Sequence, residues 1–198
     1  VHILQTKGEW CEVEVPEQMV GYDKGHVLPY RGWMEKQYLQ RAESCCCQKG
    51  GLVISPSTRK RVIETAASFL GRPYVWGGLG IPGFDCSGLV YESFKLGANL
   101  FLPRNSCDQC CVLHSFDPST LVLPADLIFI AQEGKKVSHV LLLTGDGDEL
   151  IEATPQDGAG VRHIRFKDRF AIPLHDVRDG MVSNGLEIFF RRCDAEGC

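Results

Sequence analysis

Phe84-Asp85-Cys86-Ser87-Gly88-Leu89-Val90 is the stretch on which the reading of this chain turns. An aspartate set before small residues and then an apolar run marks a helix start, with Asp85 in the capping position. Leu89, Val90 and Phe94 recur on one face, and the helix stops near Gly97. Cys86 lies one turn before Leu89 and Val90, so it shares their inward face. At that position the partial positive charge and free N–H groups of the helix N-terminus favour a thiolate.

Outward from this helix the pattern is asymmetric. Upstream, Ser55-Pro56 gives an N-cap followed by proline at the first helical position. Val62, Ile63, Ala66, Ala67, Phe69 and Leu70 then follow at helical spacing until Gly71 and Pro73. Downstream, residues 126–131, 137–143, 150–153, 161–166 and 186–190 read as strands. Helices first and strands afterwards predict an α+β class, with helices packed on an antiparallel sheet. Residues 1–43 alternate instead like strands: Glu9–Val15 has period 2 until Pro16, a loop holds Gly21 and Gly25, and residues 30–34 form another strand. About 40 residues rarely hold a core alone, so this segment leans on its neighbour. Residues 44–54, polar and cysteine-rich, read as a linker to the helix-and-strand domain at 55–198.

A thiolate nucleophile needs a base, and His139 stands in an otherwise apolar strand. A cysteine at a helix start facing a strand histidine is what thiol acyl transfer requires, with backbone N–H groups of the same helix turn available to an oxyanion. The plain alternatives are a buried structural thiol and a satisfied core histidine.

The wider string decides between them. Residues 71–78 (Gly71-Arg72-Pro73-Tyr74-Val75-Trp76-Gly77-Gly78), then Asp85–Val90, Leu102-Pro103-Arg104, Ala125–Phe129 and Ser138-His139-Val140 resemble, in order and spacing, the NlpC family of papain-like cell-wall peptidases. The likeness runs from about Arg59 to Ala153. It implies a papain-like catalytic domain with Cys86 as nucleophile and His139 as base. Lys7–Trp10, Val13–Gln18 and Arg31–Met34 resemble the later strands of a bacterial Src-homology-3-like barrel, here truncated, which precedes the catalytic domain in one subgroup. That subgroup comprises γ-D-glutamyl-L-diamino acid endopeptidases of peptidoglycan recycling. The resemblance then implies a stem-peptide substrate of the L-Ala-γ-D-Glu-diaminopimelate type with a free N-terminal L-Ala. It also implies binding roles for Asp85 and Ser87 around the ammonium, for Tyr74 beside the reacting centre, for Tyr30 across the domain boundary, and for Ser106. The plain readings are a helix cap for Asp85 and ordinary packing for the tyrosines.

At the third catalytic position the chain departs from the family it resembles, whose members usually carry another histidine and sometimes a different polar residue. A hairpin loop at Gly145-Asp146 pairs His139 with Glu152, and one at Asp146-Gly147 pairs it with Thr154. Either register leaves Glu152 on the face of His139, where a carboxylate would fix the imidazole tautomer. Its plain reading is a solvent-facing strand residue; Arg162, His163 and Arg165 alternate with Ile164 and Phe166, so at least some of them belong to a strand's polar face.

Composition bounds the rest. A net charge of −4 argues against nucleic acid as the partner, and no apolar run approaches a spanning helix. Of ten cysteines, 45–47 and 110–111 are contiguous and cannot easily bridge to each other, so mostly free thiols are expected. Free thiols favour a cytoplasmic setting, with the periplasm or envelope open if a segment precedes Val1. Cys107, Cys110 and His114 look like half a zinc site but also fall at helical spacing, and the chemistry calls for no cofactor. Transfer to an amine, or a binding-only module, are the competing function classes.

Overall fold

The structure, a computed structural model, describes residues 1–23, 26–39 and 54–193. Three strands come first: β1 (His2–Lys7), β2 (Trp10–Asp23) and β3 (His26–Glu35) form an antiparallel sheet in chain order. Pro16 does not end β2, contrary to expectation. The strand continues to Asp23, and its pairing with β3 slips between Val15 and Met19. A proline cannot donate to the ladder, so a register slip accommodates it. The loop expected around Gly21 is likewise strand, Gly21 pairing with Leu28, while Gly25 and nearly all of the linker at 44–54 lie outside the described residues.

Helix α1 (Pro56–Ala67) starts where the sequence places it, with the Ser55 side chain accepting from the Thr58 N–H at 3.2 Å. Helix α2 (Cys86–Ala98) ends on Asn99, which adopts the left-handed conformation at φ 53°. The two helices cross closely: a Cβ on Gly97 would stand 2.7 Å from the Val62 Cα. Next come α3 (Ser106–Val112), β4 (His114–Ser115), β5 (Leu127–Gln132), β6 (Val137–Leu143), β7 (Glu149–Thr154), β8 (Gly160–Arg165), α4 (Phe166–Phe170), β9 (Met181–Ser183) and β10 (Leu186–Arg192). They form one antiparallel sheet in the order β4-β10-β5-β6-β7-β8, with β9 on β10. The α+β expectation of helices on an antiparallel sheet, preceded by a small all-β sheet, holds.

Both faces of the large sheet are covered, so its central strands read as continuous apolar runs. Leu127, Phe129, Val140 and Leu142 meet Val62, Leu89, Val90 and Phe94 of α1 and α2. Ile128, Ile130, Leu141 and Leu143 meet Phe166 and Phe170 of α4 on the other side. The hairpin between β6 and β7 takes the register with Leu142 opposite Ile151 and Leu143 opposite Leu150, the one centred on Asp146-Gly147.

Asp126, fully buried, ties these layers together. Arg192 from β10 grips it through Nε and Nη2 at 2.8 and 2.6 Å, and Arg59 from α1 reaches Oδ1 at 3.1 Å. Removing one partner of a buried ionic cluster costs roughly 3–5 kcal/mol. Asp126→Asn should therefore lower the urea midpoint by that equivalent, and an unchanged midpoint would deny the cluster its structural role.

Candidate active site

The site begins with a capped helix. Asp85, extended at φ −88° and ψ 177°, accepts from the Gly88 N–H at 2.7 Å and the Gly77 N–H at 2.9 Å. The preceding loop lies against this first turn so tightly that a Cβ on Gly88 would meet the Gly78 carbonyl oxygen at 2.1 Å. Arg104 donates to both carboxylate oxygens of Asp85, at 2.9 and 2.6 Å, and to the Ser87 hydroxyl at 3.1 Å. The Ser87 hydroxyl itself lies 3.3 Å from Asp85 Oδ1. These donors fill the lone pairs of the carboxylate. Asp85 and Ser87 thus serve first to fix the helix start, and a direct ammonium contact to Asp85 would have to displace one of them.

Cys86 opens α2 and is 6% exposed. Its Sγ lies 3.9 Å from the Ser138 carbonyl oxygen. Ser138 is the extra residue of a bulge: Ile130 pairs with His139 and Ala131 with Val137. Bulges re-aim neighbouring side chains, and this one turns β6 where it meets the thiol.

His139 stands between a thiol and a carboxylate. Its Nε2 is 2.8 Å from Glu152 Oε2, which leaves Nδ1 as the ring nitrogen able to serve the Cys86 thiol. Burial opposes the imidazolium, but hydrogen bonds and electrostatic attraction from Cys86 and Glu152 outweigh it and raise the pKa to about 9. Glu152 is fully buried. Burial would raise its pKa, yet the hydrogen bond from His139, with help from Arg162 and Arg169, draws it below the ordinary carboxylate value.

The structure thus brings Cys86, His139 and Glu152 together. Tyr74 is half-buried close by: burial raises its hydroxyl pKa, Cys86 and Asp85 add to the rise, and Arg104 opposes it. Ser106 is buried as the first residue of α3. Tyr30 lies on β3 of the separate sheet, half exposed, with no side-chain hydrogen bond to these residues among those described. Cys107, Cys110 and Cys111 lie on α3 and His114 on β4, whereas Cys45–Cys47, the other half of the zinc reading, are outside the described residues.

Sequence reasoning missed four contributors. Arg104 was visible only as part of a motif, and Gln109, fully buried, donates to the Ser87 and Pro103 carbonyls. Arg162 and Arg169 turn inward to Glu152, whereas the alternation of residues 162–166 said only that some of Arg162, His163 and Arg165 belong to a polar face.

Residues 71–171 match the model of the NlpC/P60 family. The γ-D-glutamyl-L-lysine dipeptidyl-peptidase of Bacillus subtilis is 40% identical over 114 residues, 56% of this chain and 37% of that one. The chain spans about a third of the length of the curated relatives it matches. Among solved structures, an NlpC/P60 family protein from Bacillus cereus superposes with a TM-score of 0.61 at 22% identity, covering 97% of this chain and 78% of its own. RipD of Mycobacterium tuberculosis, described as a non-catalytic NlpC/p60 domain protein adapted to peptidoglycan binding, matches with a TM-score of 0.50 at 27% identity. That match covers 68% of this chain and 96% of RipD.

The His139 pKa is directly measurable. In the folded protein its NMR titration should centre near 9 rather than 6.5, and Glu152→Gln should move it downward. Because the folded value is raised, the stability it contributes is complete below 6.5 and is lost as the pH rises through about 9. A wild-type midpoint at or below 6.5 would contradict the arrangement described.

Proposed function

The chain belongs to the NlpC/P60 family, and from that premise we propose that it is a cysteine peptidase cutting the bond between γ-D-Glu and a diamino acid in peptidoglycan-derived peptides. The observation that carries the proposal is His139 held between the Cys86 thiol and the buried Glu152. Cys86 attacks the γ-carbonyl carbon, and His139 gives a proton to the departing amine of the diamino acid. Water then attacks the thioester, His139 takes its proton, and the thiol is regenerated. Glu152 keeps Nε2 protonated and so directs Nδ1 at the sulfur. The intact Cys86–His139–Glu152 set favours catalysis over a binding-only module.

The finer reading is a stem peptide of the L-Ala-γ-D-Glu-diaminopimelate type with a free N-terminal L-Ala. It rests on reading residues 1–43 as an incomplete Src-homology-3-like domain, joined through 44–54 to the catalytic domain at 55–198, with Tyr30 on the substrate side. Tyr74, Asp85, Ser87 and Ser106 are proposed to line the substrate side of the cleft. Asp85 and Ser87 do so through the helix start that they and Arg104 hold.

Incubation with L-Ala-γ-D-Glu-diaminopimelate, followed by mass spectrometry, should show L-Ala-D-Glu and free diaminopimelate. Cys86→Ala should lower the rate on the order of a thousandfold or more while leaving the fold intact. Cleavage that survives in Cys86→Ala would defeat the assignment. Acetylating the peptide's N-terminus should cut kcat/KM sharply. Equal turnover of free and acetylated peptides would replace the recycling-type reading with a broader wall hydrolase.

A further inference from the structure

Glu152 has no contact with water, so what surrounds it decides what it can do. Arg162 stands directly opposite on β8. Its Nε and Nη2 both donate to Oε1, at 3.0 and 2.8 Å. The other oxygen, Oε2, receives His139 at 2.8 Å. From α4, Arg169 brings Nε to 3.6 Å of Oε2, buried and without a hydrogen-bond partner among the described residues. Its contribution is therefore charge rather than direction. The ionisable groups around the carboxylate thus come from separate elements: His139 on β6, with Cys86 of α2 beyond it, Arg162 on β8 and Arg169 on α4.

We propose that Arg162 is a positioning residue for the reaction: its two-pronged hold on Oε1 fixes the rotation of the Glu152 carboxylate and aims Oε2 at His139 Nε2. The physical reason is geometric. A carboxylate held by one hydrogen bond can turn about its last torsion, and its other oxygen swings away from the imidazole. Two donors from one planar guanidinium, converging on a single oxygen, remove that freedom. A lysine at the same place would supply the charge without the fork. Arg162 also keeps Glu152 ionised while it is shut off from water, which a lone buried carboxylate would not tolerate.

The activity arm of the test rests on the peptidase reading, and the spectroscopic arm does not. Arg162→Gln should lower kcat about tenfold or more with KM within about twofold, because the loss falls on the base and not on substrate contacts. Its acid limb should move to higher pH, since Glu152 loses a cation that keeps it ionised. Arg162→Lys should leave the acid limb near its wild-type place while kcat still falls between the two. Above pH 9, where the wild-type ring is neutral, the His139 ¹⁵N signals of both variants should show a loss of the fixed Nε2–H form. Wild-type kcat with an unmoved acid limb in Arg162→Gln would overturn the proposal, and so would a change in KM alone. Should that variant not fold, Arg162→Lys decides: wild-type kcat and an unaltered His139 tautomer there are equally fatal. If the wild-type chain leaves the peptide intact, the peptidase reading falls, and the His139 signals in the variants still decide whether Arg162 positions the base.

Discussion

The constraint that shapes this molecule is a carboxylate sealed away from water. Taking an ionised glutamate out of solvent costs several kcal/mol, and only close, well-aligned partners offset it. Glu152 recruits them from three elements besides its own: the imidazole of β6, the guanidinium of β8 and that of α4. Satisfying that charge therefore does two jobs. It ties strands β6, β7 and β8 to the short helix that covers them, and it fixes the ring that faces the thiol. The same solution recurs. Asp126 is held by Arg59 and Arg192, and Asp85 by Arg104. In each case arginine supplies a rigid fork, and in each the acid sits where elements from distant parts of the chain must meet.

Asp85 secures the helix start that carries Cys86, and Glu152 secures the His139 ring. Asp85 is held by Arg104 and by the N–H groups of Gly77 and Gly88, so the helix start that presents Cys86 has little freedom. The loop before it is pressed close enough that Gly88 has no room for a side chain. Across the gap, the bulge at Ser138 sets where β6 turns toward the sulfur. The Cys86 thiol and the His139 imidazole are thereby carried on two stiff supports, as the proposed reaction requires of a nucleophile and its base.

What the sequence disclosed follows from how local each signal is. Cys86 at a helix start depends only on the residues around it, and Ser55-Pro56 reads the same way. The placement of Glu152 on the face of His139 required one further step, the register of a hairpin, and both registers agreed on the face. Arg162 required knowing that β8 pairs with β7 so that position 162 lies opposite 152, which no periodicity reports. Alternation alone left open which of Arg162, His163 and Arg165 face solvent. Arg169 lies further out of reach, in a five-residue helix that carries no signal of its own. The central strands posed the reverse difficulty: Leu127–Ala131 and Val140–Leu143 do not alternate because helices cover both faces of the sheet. Pro16 was misread for a different reason, since a long hairpin tolerates a proline by slipping its register.

A glutamate where related peptidases usually carry a histidine changes the electrostatics of the base. A neutral imidazole could orient His139 but would not oppose loss of its proton, whereas a carboxylate does both. That carboxylate accepts from Nε2–H, while in the proposed reaction the proton given to the leaving amine comes from Nδ1. Arg162 and Arg169 help hold the glutamate below the ordinary carboxylate value, so it stays charged beside the imidazole. The outcome is an imidazole whose pKa, about 9, keeps it protonated at neutral pH. In the proposed reaction that is the form needed first, because the thioester cannot form until the departing nitrogen has been given a proton. The arginines are therefore part of the substitution itself: a buried glutamate at this position is a workable partner for His139 only because β8 and α4 bring cations to it.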